Sequence, residues 1–188
     1  MSESTQTITV TSTMRDVLQA YPGAQRALFR KYHIGGCSSC GFQPEETLEG
    51  LCARNNALNV EEVLAHIQAS HDEDARILVS PEELARMLES EPAPKLLDVR
   101  AREEFEAVRI EGSRLLSQET MQEIMGHWSR EEAFVILDHH GKTALDAAAY
   151  FLGHGFTQVL CLRGGLDAWS RTIDPKVPRY KLEATNNS

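Results

Sequence analysis

The sequence has no apolar run approaching the roughly 18 residues that a membrane-spanning helix requires. It has no Lys- or Arg-rich stretch either, and its 19 basic residues are outnumbered by 28 acidic ones, for a formal net charge of −9. Without a basic patch the chain lacks the electrostatic footprint for wrapping nucleic acid or lying on anionic lipid, so neither is expected as a partner. The opening residues MSESTQTITV contain no basic segment followed by an apolar one, and the expected location is cytoplasmic. Cysteine is scarce, with four in 188 residues. A reducing compartment keeps thiols apart, so these are expected to be chemistry or core filler rather than a disulfide framework.

What is present is ordinary globular material, 41% hydrophobic and 25% charged, enough to bury a core. The charge is unevenly held: residues 1–70 carry 5 basic and 7 acidic residues, residues 71–188 carry 14 and 21. The polar run Ala69-Ser70-His71-Asp72-Glu73-Asp74 separates two well-patterned stretches. It predicts a domain over 1–70, a linker over 71–76, a second domain over 77–180 and a flexible tail over 181–188.

After a short Thr7-Ile8-Thr9-Val10 segment, the first stretch reads as helix throughout. Ser12 or Thr13 caps a helix with Met14, Val17 and Leu18 on one face, and Pro22 opens a second helix carrying Ala24, Ala27 and Leu28. Pro44-Glu45-Glu46 is expected to open a third, with acids in its first turn, and Val60 a fourth. The second stretch alternates short apolar runs with helices: Ile77-Leu78-Val79, Lys95 to Val99, Phe134 to Leu137 and Val159 to Leu162, with helices over 81–88, 143–152 and from Leu166. Such strands predict a parallel α/β sheet covered by helices on both faces, preceded by a small all-α domain.

In an open parallel sheet a site is expected in the loops at the carboxyl ends of the strands. The loop Asp138-His139-His140-Gly141-Lys142-Thr143 lies between a buried strand and a helix N-terminus, where successive N–H groups converge into an anion-binding nest. Cys161, mid-strand among apolar residues, is expected to be core. Asp98 and Arg100 are expected to brace the loop as an internal ion pair, and Arg163 to make a structural contact. In the first domain, Cys37-Ser38-Ser39-Cys40 puts two thiols on a glycine-flanked turn just before a helix. That setting favours thiolates and suits a redox pair or a metal clamp. Cys52 completes Cys-x2-Cys-x11-Cys on the Leu48/Leu51 side of the third helix, either as a core thiol or as a third ligand with His33 as a fourth. With the helix begun near Pro44, Cys52 stands about 12 Å up its axis, so a shared site requires the 37–40 loop to fold back or a second subunit to contribute, as in a homodimer.

The second domain resembles the rhodanese family over residues 77–180. The matching blocks are Leu96-Leu97-Asp98-Val99-Arg100 with Glu103-Glu104-Phe105, His139-His140-Gly141, Ala147 to Leu152 with Gly153-His154-Gly155-Phe156, and Leu162 to Trp169. In active members the residue before the matched His-His-Gly is a cysteine that carries sulfane sulfur. Here it is Asp138, the loop arginine is replaced by Lys142 and Thr143, and the usual His-Ile-Pro-Gly reads Arg109-Ile110-Glu111-Gly112. A carboxylate cannot form a persulfide, so the resemblance implies a domain without sulfurtransferase activity, with Asp138 as a resident anion of the nest or as the helix cap.

Residues 7–70 resemble the hybrid-cluster-protein-associated redox disulfide domains and related modules of iron–sulfur repair proteins. Asp16-Val17-Leu18, Tyr21-Pro22, Ile34-Gly35, the cysteines and Glu46-Thr47-Leu48-Glu49 carry that likeness. Together the readings imply a protein of sulfur or iron–sulfur metabolism in which Cys37 and Cys40 work as a redox pair or hold a cluster, partnered by a sulfur-transfer or iron–sulfur protein. Two alternatives stay open: an active sulfurtransferase whose N-terminal cysteine accepts sulfur, and an interaction protein holding zinc through Cys37, Cys40, Cys52 and His33. If the pair is a simple dithiol, no cofactor is required.

Overall fold

A computed structural model describes residues 8–35, 41–141 and 143–180. Cys37, Cys40, Lys142 and the tail 181–188 lie outside the described residues. The chain divides into two compact units, Met1–Arg76 and Ile77–Ser188.

The first unit contains α1 (Met14–Ala20), α2 (Ala24–Tyr32), α3 (Leu48–Arg54) and α4 (Val60–Ile77, whose last residue belongs to the second unit). Thr13 caps α1 in a reciprocal box, its hydroxyl accepting from the Asp16 N–H at 3.3 Å while the Asp16 carboxylate accepts from the Thr13 N–H at 3.3 Å. Thr47 caps α3, and the two caps face each other across an antiparallel bridge. Met14, Val17, Leu28, Leu48, Leu51, Val63 and Ile67 form the buried core, with Ile8 at its edge. Their 3–4 residue spacing on each helix explains why these segments fold as helices.

Three expectations require correction here. The third helix does not start at Pro44: the carbonyls of Pro44 and Glu46 accept the N–H groups of Arg15 and Met14 at 2.9 and 2.8 Å. That pairing holds 44–47 out of the helix, which begins at Leu48, so Cys52 stands only about 6 Å along its axis. Pro22 precedes α2, whose cap is Gly23. The linker expected over 71–76 is helical: it forms the last turns of α4, in a stretch from 60 to 80 without glycine or proline, and the division between the two units falls at its end. Its polar side chains are tied to α2 and the chain before it: Asp74 pairs with Arg26, and His71 sets its ring edge against Tyr21 at 5.2 Å. Burial pushes the Asp74 carboxyl up, opposed by Arg26.

The second unit is a five-stranded, all-parallel sheet in the order β1-β5-β4-β2-β3. Its strands are β1 (Leu78–Val79), β2 (Lys95–Asp98), β3 (Ser113–Leu115), β4 (Phe134–Leu137) and β5 (Val159–Leu162). The helices are α5 (Pro81–Leu88), α6 (Arg102–Ala107), α7 (Gln118–His127), α8 (Thr143–Gly153) and α9 (Gly165–Thr172). All four residues of β4 are buried because both faces of this central strand are covered. Phe134 and Ile136 pack with Ile124 of α7 and Ala148 and Phe151 of α8, whereas Val135 and Leu137 pack with Leu84 of α5 and Leu166 and Trp169 of α9. The expected α/β fold, with helices on both faces, is the observed one. Among the described residues no helix is long and apolar enough to cross a membrane.

Candidate functional site

After β2 the chain turns outward to β3, and after β4 it turns the other way to β5. The two departing loops therefore diverge and leave a crevice at the carboxyl ends of β2 and β4, the switch point where open α/β sheets bind ligands. The crevice is a cleft of about 290 Å³, and Val99, Arg100, Ala101, Glu104, Asp138, His139, His140 and Thr143 line it.

Asp138 forms the floor. One carboxylate oxygen accepts the Gly141 N–H, and the other accepts those of Thr143 at 2.5 Å and Ala144 at 3.1 Å. The converging N–H groups of loop and helix are thus taken up by the protein's own carboxylate, which is at once cap of α8 and resident anion. The loop is pinned from above by α9: the Leu166 N–H donates to the Asp138 carbonyl at 2.8 Å and the Asp167 N–H to that of His139 at 3.1 Å. Gly141 has φ +80°, and a Cβ there would lie 2.9 Å from the Gly164 nitrogen.

Arg100 lines the wall and is paired with the buried Asp98. The Arg100 Nε donates to both Asp98 oxygens at 2.9 and 3.1 Å, and another guanidinium nitrogen reaches Oδ2 at 2.5 Å and the Val108 carbonyl at 2.7 Å. Burial works against the Arg100 charge, but its hydrogen bonds to Asp98 and Tyr180 outweigh it and raise its pKa. The remaining nitrogen donates to the Tyr180 hydroxyl at 2.6 Å, and that hydroxyl donates to Glu104 at 2.7 Å. Burial, and then the Glu104 carboxylate, push the Tyr180 phenol up to about 12.

His139 is 5% exposed, and neither of its ring nitrogens has a hydrogen-bond partner among the described residues. Its ring lies against Tyr180 at 4.3 Å and against the exposed His140 at 4.0 Å. Burial lowers the His139 pKa, as do His140 and Arg100, against the pull of Asp167 and Glu104.

The cleft brings together Asp138, His139, His140 and Thr143, with Gly141 joined to them through its N–H on Asp138. Cys161 is not among them: it is wholly buried in β5, its thiol donating to the Ala144 carbonyl at 3.3 Å. The Arg163 side chain is exposed while its N–H donates to the Val79 carbonyl at 2.9 Å. In the helical unit Cys52 is buried with Leu48 and Leu51, and burial pushes its thiol up. His33 is exposed, in a left-handed turn ending α2. Among the described residues no group of three or more His, Cys, Asp or Glu side chains could hold a metal ion. Of the expected ligand set, Cys52 lies in the apolar core and His33 on the surface, while Cys37 and Cys40 lie outside the described residues. Sequence reasoning missed Tyr180. An aromatic residue in a polar run carries no signal of where its segment folds back.

A family model described as "Rhodanese-like domain" matches residues 80–172. The chain is 32% identical over 95 residues to the thiosulfate sulfurtransferase GlpE of Ectopseudomonas mendocina, spanning 50% of this chain and 85% of the relative. The chain belongs to the rhodanese-like family. A second relative, GlpE of Pseudomonas aeruginosa PAO1, is 28% identical over 97 residues, covering 52% of this chain and 86% of its own. Among solved structures, a rhodanese-like domain protein of Staphylococcus aureus matches at 25% identity with TM-score 0.43, over 49% of this chain and 89% of that one. The rhodanese-like match ends within α9, so residues 173–180, including Tyr180, follow it.

Proposed function

We propose that the protein serves sulfur or iron–sulfur metabolism through the Cys37–Cys40 pair, and that its rhodanese-like unit is a docking element without sulfurtransferase activity. One observation carries the second half: the Asp138 carboxylate fills the cradle of Gly141, Thr143 and Ala144 N–H groups. In active members of the family a persulfide-bearing cysteine stands at that position. A carboxylate supplies no sulfur nucleophile, and it already occupies the donors that would stabilise a sulfur anion. For the first half, the burial of Cys52 favours core filler over a third ligand, which leaves a dithiol as the simpler chemistry. Such a pair reduces a substrate disulfide to two thiols and itself closes to a disulfide, two electrons and two protons passing across. The partner it implies is a thiol- or cluster-bearing protein of sulfur transfer.

The thiosulfate:cyanide assay on the full chain tests the inactive unit. Negligible turnover is expected, with weak rescue in Asp138→Cys because the loop arginine is also absent. Turnover by the unaltered chain at rates ordinary for thiosulfate sulfurtransferases overturns the reading. The names of the relatives favour that second reading, an active sulfurtransferase, and in it loss of turnover in Cys37→Ser would identify an N-terminal acceptor.

A further inference from the structure

Residues 173–180 leave α9 and return to the cleft. Three anchors to α9 hold them: the Ile173 and Asp174 N–H groups donate to the Trp169 carbonyl at 2.9 and 3.2 Å, the Ser170 hydroxyl donates to the Val177 carbonyl at 2.5 Å, and Arg179 pairs with Asp167 at 2.7 Å. The segment delivers Tyr180 with its ring against His139 and its hydroxyl between Arg100 and Glu104.

That hydroxyl is read twice, by a donor and by an acceptor, which is how a binding site recognises a phenol. Arg100 is also bonded to Asp98 and Val108, which hold it in place at the cleft. The other charges on the cleft wall, Glu104 and Asp138, are carboxylates. They oppose an anionic occupant and suit a neutral O–H donor. His139, nine-tenths buried with both ring nitrogens unpartnered, lies beneath the ring.

We propose that the corner of the cleft between Arg100, Glu104 and His139 is a phenol-binding site and that residues 173–180 form a strap carrying its built-in occupant, Tyr180, so that displacing the strap opens that corner and uncovers His139. Any external occupant is then a neutral phenol, either a small molecule or a tyrosine side chain. The use of the opened cleft for docking rests on the reading of this unit as catalytically inactive; the strap itself does not. Thiosulfate turnover tests the one, and His139 reactivity tests the other.

The test is carbethoxylation of the full chain by diethyl pyrocarbonate, followed histidine by histidine by mass spectrometry, with the exposed His127 as internal reference. His139 should react far more slowly than His127 in the unaltered protein. In Tyr180→Ala its rate should rise by about tenfold or more, the scale of losing the hydrogen bonds that favour the closed state. Arg179→Ala, which loosens the strap without touching the cleft, should move it the same way by less. Millimolar 4-methylphenol should restore protection in Tyr180→Ala, and 4-methylanisole, which has no O–H to donate, should not. An unchanged His139 rate in both variants, or equal protection by the two additives, overturns the proposal.

Discussion

Gly165 sits against the backbone of Asp138 so closely that a Cβ on it would lie 2.4 Å from the Asp138 carbonyl oxygen. Its φ of +60° is also one that side-chain-bearing residues rarely adopt. The start of α9 and the cleft loop are thereby locked together, and the loop's shape depends on a residue 27 positions away.

Gly165→Ala should therefore destabilise the second unit by about 1–3 kcal/mol, from backbone strain and the forced separation of the loop. Thermal unfolding checks it, with Gly126→Ala as control, since a Cβ at Gly126 meets nothing within 4 Å. Equal melting of the two variants would contradict the lock.

Removing the Asp138 carboxylate leaves three N–H groups to find other partners. Asp138→Ala should cost about 1–3 kcal/mol, the penalty for unsatisfied buried donors together with a lost cap. Asp138→Asn retains one accepting oxygen and should fall between. Denaturant titration separates them, and a neutral effect of the alanine variant would show that the cradle is not held by this carboxylate.

The Asp98–Arg100 pair is buried, so breaking it by one substitution strands a charge. Arg100→Ala should destabilise by about 3–5 kcal/mol, and more than replacement of both residues by apolar ones of similar volume. A double-mutant cycle checks the ordering.

The exposed Glu123 carboxyl is held down to about 2 by its hydrogen bond to Arg114, helped by one from Trp128. A depressed folded pKa contributes stability that is fully present above the ordinary value of 4.5 and is lost as pH falls through about 2. Glu123→Gln should lower stability near neutrality and flatten the acid-stability profile between those limits, the two proteins converging as pH falls through about 2. A profile identical to that of the unaltered protein would refute it.

Reduced, metal-free protein should be alkylated by iodoacetamide at Cys37 or Cys40 well before Cys52 and Cys161, because the latter two are buried and burial holds the Cys52 thiol up. Peptide mapping over time gives the order. Metal content of anaerobically purified Cys52→Ser, compared with the unaltered protein, decides whether that thiol does more than fill the core.

The α/β fold of the second unit was legible in the sequence because its strands are short and apolar on both faces, and because its helix starts carry local signals. Ser80 before Pro81 and Ser117 before Gln118 are capping residues that act within a turn. The position of Asp138 at the end of the central strand was legible for the same reason: β4 is apolar from Phe134 to Leu137, and its end marks the loop. What the tertiary structure decided involves partners distant along the chain. The backbone of Pro44–Glu46 pairs with the start of α1 instead of opening a helix, and Asp74 is held to α2 by Arg26. Tyr180 reaches Arg100 and Glu104 across a separation of more than seventy residues. Periodicity and capping record only what a residue does within its own few turns. A hydrogen bond made on folding back leaves no mark in the local pattern, and those of Tyr180 are of that kind.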